Sequence, residues 1–263
     1  RLETVLGVSA SFWNNLETNY RETLARLTHE EQLAKEATLA DQYDYAAMAK
    51  ARYVEKTKNP VEKAHNLLRF FSVSSLETVP ALIGDSAALR KADNNKASIY
   101  ALSAWIRQCE IKASEIQTAD YDRDKLLQLI PEFRQATFRF PSEFIPYLQQ
   151  SCAECGVALV ILPQLKETYA NGVSKWLTPK KALVAVSPRG GRADIFWFTF
   201  FHELGHLLLS HSKKATFITF DKTNPDDIQE QEANQFAADH LIPPAAYKQL
   251  LTGELTTSSI EAF

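Results

Sequence analysis

The chain has 263 residues, 45% of them hydrophobic and 23% charged, which is the composition of a globular protein and excludes disordered and fibrous classes. With 29 basic against 32 acidic residues, a net charge of -3 and a pI near 6.1, it carries no basic footprint for nucleic acid over its length as a whole. Three cysteines argue against a disulfide framework and for a reducing, cytoplasmic setting, and no segment has the form of a membrane span or a secretion signal.

From Leu16 to Lys58 the apolar residues Leu16, Tyr20, Leu24, Leu27, Leu33, Tyr43, Ala47 and Val54 recur among charges mostly three or four positions apart, without Gly or Pro. This spacing predicts one or two long amphipathic helices, ended by Asn59-Pro60. A second helical block holds LLRFF near Leu67 and a helix from Lys96 to Glu115, separated by the turn-rich stretch Pro80 to Asn95. The expected organisation is a helical region over residues 1–60, a helical linker over 61–140 and the chemistry-bearing domain over 141–263.

After Pro141 the pattern becomes mixed, and the fold class expected is α+β. SEFIPYLQQSCAECG reads as a helix closed by Gly156, and GVALVILP as a buried strand. GVSKWL and ALVAVS, joined by TPKK, read as a β-hairpin whose first strand, Val173 to Leu177, could be a sheet edge able to hold an extended substrate. Cys152 and Cys155 form a C-x-x-C without a second pair or an adjacent His, and one apolar helix face explains their spacing, so core cysteines are expected.

FTFFHELGHLLLSH, Phe198 to His211, places three histidines and a glutamate in an apolar run, where polar groups need partners. Asp194 is the expected N-cap of a helix from Ile195 to Ser210. On that helix His202 and His206 are one turn apart on one face, the spacing with which two imidazoles share a metal ion, and Glu203 beside them is placed to take a proton from water. The extended pattern HExxHxxGxxH is absent, since Leu209 and Ser212 stand where its Gly and His would be. His211 falls away from the ligand face if the helix persists, and reads as a supporting or surface histidine. The third ligand is instead sought on a helix opened by Asn224-Pro225-Asp226-Asp227, where Glu230, Asn234, Ala237 and Leu241 share a face. Glu230 is favoured, with Asn234 one turn on to buttress a ligand; Glu232 is the rival, on a face that carries Phe236.

HELGH followed by EQEANQFAADHLIPP, after the strand and hairpin, resembles the ImmA/IrrE family of zinc metallopeptidases over roughly Lys96 to Phe263. The resemblance implies a gluzincin-like fold with a small antiparallel sheet, Zn2+ held by His202, His206 and Glu230, and Glu203 as catalytic base. It also implies a protein substrate, since members of the family cleave helix-turn-helix repressors. LGVSASFWNNLETNYRETLARL, Leu6 to Leu27, is similar to the closing segment of the helix-turn-helix domain of HigA-type antitoxins. DNA contact would then run only through a domain N-terminal to this chain, whose two ends read as interior points of a longer protein. The long helices before Lys58 have the length for a homodimer.

Two function classes follow. One is a zinc metalloendopeptidase acting on a helix-turn-helix repressor or antitoxin in a stress, toxin–antitoxin or mobile-element switch. The other is a non-catalytic, metal-containing sensor domain of a DNA-binding regulator.

Overall fold

The first long helix begins at a serine. In a computed structural model describing residues 2–82, 97–211, 215–220, 227–252 and 256, a short α1 (Leu2–Leu6) precedes Ser9, whose hydroxyl accepts the Phe12 amide hydrogen and starts the 31-residue α2 (Ala10–Ala40). The chain divides into two units, Arg1–Thr78 and Val79–Phe263.

In the first unit α2 stops at Ala40 rather than running toward Lys58. Asp44 opens a new helix, α3 (Tyr45–Lys50), by accepting the Ala47 amide hydrogen at 2.9 Å. Asn59 is the expected boundary: its side chain accepts from the amides of Val61 and Glu62, with Pro60 in the first turn of α4 (Pro60–Phe71). Met48, Leu67, Phe71 and Leu76 are buried, and the carboxylate of buried Glu36 is matched by the Leu76 amide at 2.8 Å. Phe12, Leu16, Tyr20, Leu24 and Leu27, along the first half of α2, are each about half exposed.

The second unit is the α+β part. After α5 (Val79–Leu82), residues 83–96, which include most of the expected turn-rich stretch and Lys96, lie outside the described residues. Ser98 caps α6 (Ile99–Glu115) by accepting the Ala101 amide hydrogen. Two helices follow, α7 (Arg123–Ala136) and α8 (Pro141–Ala153). Gly156, at φ 79°, turns α8 into the sheet; a Cβ there would stand 2.3 Å from Tyr121 Cα, so only glycine fits.

The strands are β1 (Val157–Ile161), β2 (Ala170–Thr178), β3 (Lys181–Val186) and β4 (Phe217–Phe220), in the order β1-β3-β2-β4. Strands β2 and β3 form the expected hairpin around Pro179-Lys180, and β1 joins β3 in parallel. Period-two alternation splits the sheet between two helical layers. Leu183 and Ala185 face α6 through Leu102, Trp105 and Cys109, while Ala182, Val184 and Val186 face the opposite layer. That second layer is α7, α8 and the apolar α9 (Ala193–Leu208).

The expected edge, Val173 to Leu177 of β2, is covered at Val173 and Ser174, while no β4 partner is paired with Lys175 to Leu177 among the described residues. Strand β4, Phe-Ile-Thr-Phe, pairs antiparallel with β2 from Ala170 to Ser174 and is the outer strand among the described residues. A register shift between Ala170 and Gly172 lets Ala170 and Val173 both face α6. Two further helices complete the unit, α10 (Ile228–Leu241) and α11 (Pro244–Thr252). No helix among the described residues is long and apolar enough to cross a membrane.

The free carbonyls at the end of α9 are met from α7 and the residues before it: Arg123 Nε donates to Leu208 O at 2.8 Å and Tyr121 Oη to Leu207 O at 3.3 Å. Arg123→Leu is expected to cost about 1 kcal/mol, the net worth of one partly exposed hydrogen bond, read as a lower urea midpoint at unchanged slope.

Candidate metal centre

Helix α9 is apolar almost all round, from Phe196 to Leu208, because it is packed on nearly every side; Phe198 is the exception. It begins two residues earlier than expected. Arg192 is the N-cap and Asp194 lies in the first turn, paired with the Arg192 guanidinium at 2.5 and 3.2 Å, and that ion pair replaces the expected cap. The helix also ends earlier, at Leu208 rather than Ser210.

His202 and His206 meet on one face, with their Nε2 atoms 3.0 Å apart. Glu230 reaches them from the first turn of α10, placing carboxylate oxygens 3.3 Å from His202 Nε2 and 3.7 Å from His206 Nε2. Asp227 caps α10 by accepting the Glu230 amide hydrogen, while Asn224 to Asp226 lie outside the described residues. The two helices approach closely because Gly205 has no side chain: a Cβ there would lie 3.3 Å from Ala233 Cα and 3.2 Å from the Phe236 ring.

The donor atoms of His202, His206 and Glu230 lie within 4.8 Å of one another, all buried, and this group could hold a metal ion. Its chemistry fits one. Both Nδ1 atoms are engaged elsewhere: His202 Nδ1 lies 2.9 Å from Asn234 Oδ1, and His206 Nδ1 lies 2.9 Å from His211 Nδ1. The amide oxygen only accepts, so His202 carries its hydrogen on Nδ1 and turns an Nε2 lone pair toward His206 and the Glu230 carboxylate. A buried ring of lone pairs is stable around a cation and repulsive without one. Burial by itself opposes charge on His202, but Glu230, Glu203 and Asn234 outweigh it and raise its pKa above the ordinary imidazole value, so the pocket attracts positive charge.

Glu203 points to the sheet side of the helix. Thr219 Oγ1, on β4, donates to its Oε1 at 2.6 Å, whereas Oε2 is buried and takes no hydrogen bond from the described residues. Burial pushes the Glu203 carboxyl up to about 7, opposed by His202 and by the hydroxyls of Thr219 and Ser174. A carboxyl tuned near neutrality is suited to exchanging a proton with a substrate or water. Gly172 makes room for it: a Cβ there would stand 2.5 Å from both Glu203 Oε1 and Thr199 Cγ2.

A cleft of about 490 Å³ lies beside this group, between the start of α9, β4 and α10, lined by Asn171, Phe198, Thr199, Thr219, Phe220 and Asn234 among others. Asn171 lines the cleft, Tyr169 is exposed, and Lys175 is held by Glu110 at 2.7 Å. Glu232 is not with the two histidines; its carboxylate lies 3.0 Å from His211 Nε2. His211 is buried against His206 rather than turned away. Cys152 and Cys155 are buried free thiols, and burial pushes the Cys152 thiol well up, as for inert core residues. The roles of Gly172, Ser174 and Thr219 were not anticipated from the sequence; a glycine inside a strand pattern, a sign of close backbone approach, was the available signal.

Helix and sheet thus bring together a buried His-His-Glu group that could hold a metal ion and an adjacent buried carboxyl. Residues 159–259, which include all four of His202, Glu203, His206 and Glu230, match the family model described as the IrrE N-terminal-like domain, Peptidase_M78. No curated protein matches the chain.

Proposed function

We propose that the second unit is a zinc metalloendopeptidase whose substrate is a regulatory protein of the helix-turn-helix repressor or antitoxin type, within a stress, toxin–antitoxin or mobile-element switch. The observation that carries this reading is the buried group of two imidazoles and one carboxylate, with a second, neutrality-tuned carboxyl on the adjacent residue, inside the span that matches a peptidase family.

His202, His206 and Glu230 would hold Zn2+, since three N/O ligands leave a fourth position open, as catalytic zinc sites do. When bound, the ion supplies Lewis acidity, polarising the peptide carbonyl and lowering the pKa of water. Glu203 accepts the proton of the attacking water and passes it to the leaving amine, and Thr219, bonded to Oε1, leaves Oε2 for that transfer. Asn234 holds His202 through Nδ1. The cleft admits an extended peptide alongside β4, the outer described strand, with Phe198 and Phe220 offering apolar surface to its side chains.

Metal dependence is checked first on the folded chain. Zinc at a hundredfold excess over its dissociation constant is expected to add about 2.7 kcal/mol of stability, lost on chelation, in thermal melts. The substrate is tested by intact mass spectrometry over time on zinc-loaded protein mixed with the product of its neighbouring gene. One defined fragment, absent after chelation, is the expected result; an intact partner under both conditions overturns the substrate assignment.

A further inference from the structure

The end of α9 brings a third histidine onto the site by an unusual route. The helix stops at Leu208, Ser210 takes a left-handed conformation with φ 59°, and the chain folds back so that His211 N donates to His206 O at 3.2 Å. The His211 ring then meets that of His206 edge-on, with Nδ1 facing Nδ1 at 2.9 Å. Its other nitrogen, Nε2, meets Glu232 Oε2 at 3.0 Å. The His211 side chain is only 5% exposed, whereas that of Glu232 is 55% exposed, so the line runs from the surface into the centre.

From these contacts we infer that Glu232 and His211 are positioning residues that fix which nitrogen of His206 carries its hydrogen; the consequence for metal binding rests on the metal-centre reading above. A carboxylate only accepts, so in its neutral form His211 carries its hydrogen on Nε2 and leaves a lone pair on Nδ1. That lone pair accepts from His206 Nδ1–H, which leaves the His206 Nε2 lone pair directed at His202 Nε2 and Glu230. Phe217 stacks on His206 at 4.1 Å and 13° and fixes the plane of the ring, but a stacked ring is indifferent to the position of the hydrogen. His211 decides that. His202 is set in the same sense by Asn234, so two separate devices on α10 and the α9 terminus prepare the two imidazoles.

The test compares wild type with His211→Leu, which removes the acceptor, His211→Asn, whose amide oxygen can restore it, and Glu232→Ala, an exposed change that leaves packing intact. Nitrogen-15 NMR of the metal-free proteins reports the His206 tautomer, and chelator competition reports zinc affinity. The expected result is His206 protonated on Nδ1 in wild type and His211→Asn, and a mixed population in His211→Leu and Glu232→Ala. Zinc affinity falls about 10- to 100-fold in His211→Leu, by less in Glu232→Ala, and recovers in His211→Asn. An unchanged His206 tautomer in both His211→Leu and Glu232→Ala overturns the relay; if His211→Leu does not fold, Glu232→Ala decides alone. Should wild type show the relayed tautomer yet bind no zinc, the relay stands and the metal-centre reading is what fails.

Discussion

Glu203→Gln is expected to stop peptide cleavage while leaving fold and metal content intact. Glutamine has the volume of glutamate, and its amide oxygen can still accept from Thr219 Oγ1, which holds Oε1 at 2.6 Å. What disappears is the proton acceptor. Positioned acid–base groups contribute about 10² to 10⁴ in rate, so turnover should fall by at least that range. Zinc content should not change, because His202, His206 and Glu230 keep their donor atoms. Nor should the melting temperature fall, since burial disfavours the ionised form of this carboxyl and a neutral amide avoids that cost. Cleavage by the pure variant at wild-type rate would remove Glu203 from the mechanism; a metal-loaded wild type that cleaves nothing would favour a sensor over a peptidase.

The second large effect is expected at a residue with no side chain. Gly172→Ala places a Cβ 2.5 Å from Glu203 Oε1 and from Thr199 Cγ2, and 3.0 Å from Glu203 Cγ, distances that atoms in contact do not sustain. Glu203 is fully buried and pinned by Thr219, and Thr199 lies on the same helix, so α9 must move away from β2 or the carboxyl must leave its pocket. Overpacking of this kind costs about 1–3 kcal/mol. The variant should unfold at lower denaturant, retain bound zinc, and lose cleavage nearly as completely as Glu203→Gln. Wild-type turnover together with a wild-type midpoint would show that strand and helix do not approach this closely.

These two changes probe different kinds of information. That His202 and His206 belong together was legible from spacing, because hydrogen bonding within one helix places every fourth residue on one face, and Glu203 follows as the residue next to His202. Glu230 and Asn234 were legible for the same reason on α10, once the opposite face was seen to carry Phe236. Apolar runs with β-branched residues marked β1 and the hairpin. Local pattern failed where distant residues decide the outcome. Nothing in Phe217 to Phe220 announces that it covers β2 from Ala170 to Ser174, since so short a mainly apolar run reads equally well as strand or buried helix. The return of His211 to His206 depends on Ser210 adopting φ 59°, which serine does not signal as glycine would.

The sequence by itself thus determined that His202 and His206 share one helix face with Glu203 adjacent, through the fixed geometry of a single helix, and favoured Glu230 over Glu232 without deciding between them. Only the tertiary structure decided that β2 passes close enough to require Gly172, that Thr219 on β4 grips Glu203, and that Glu232 pairs with His211 instead of the two histidines. Those outcomes arise from contacts between segments tens of residues apart, where the packing of α9 between sheet and α10 selects the arrangement and no local periodicity encodes it.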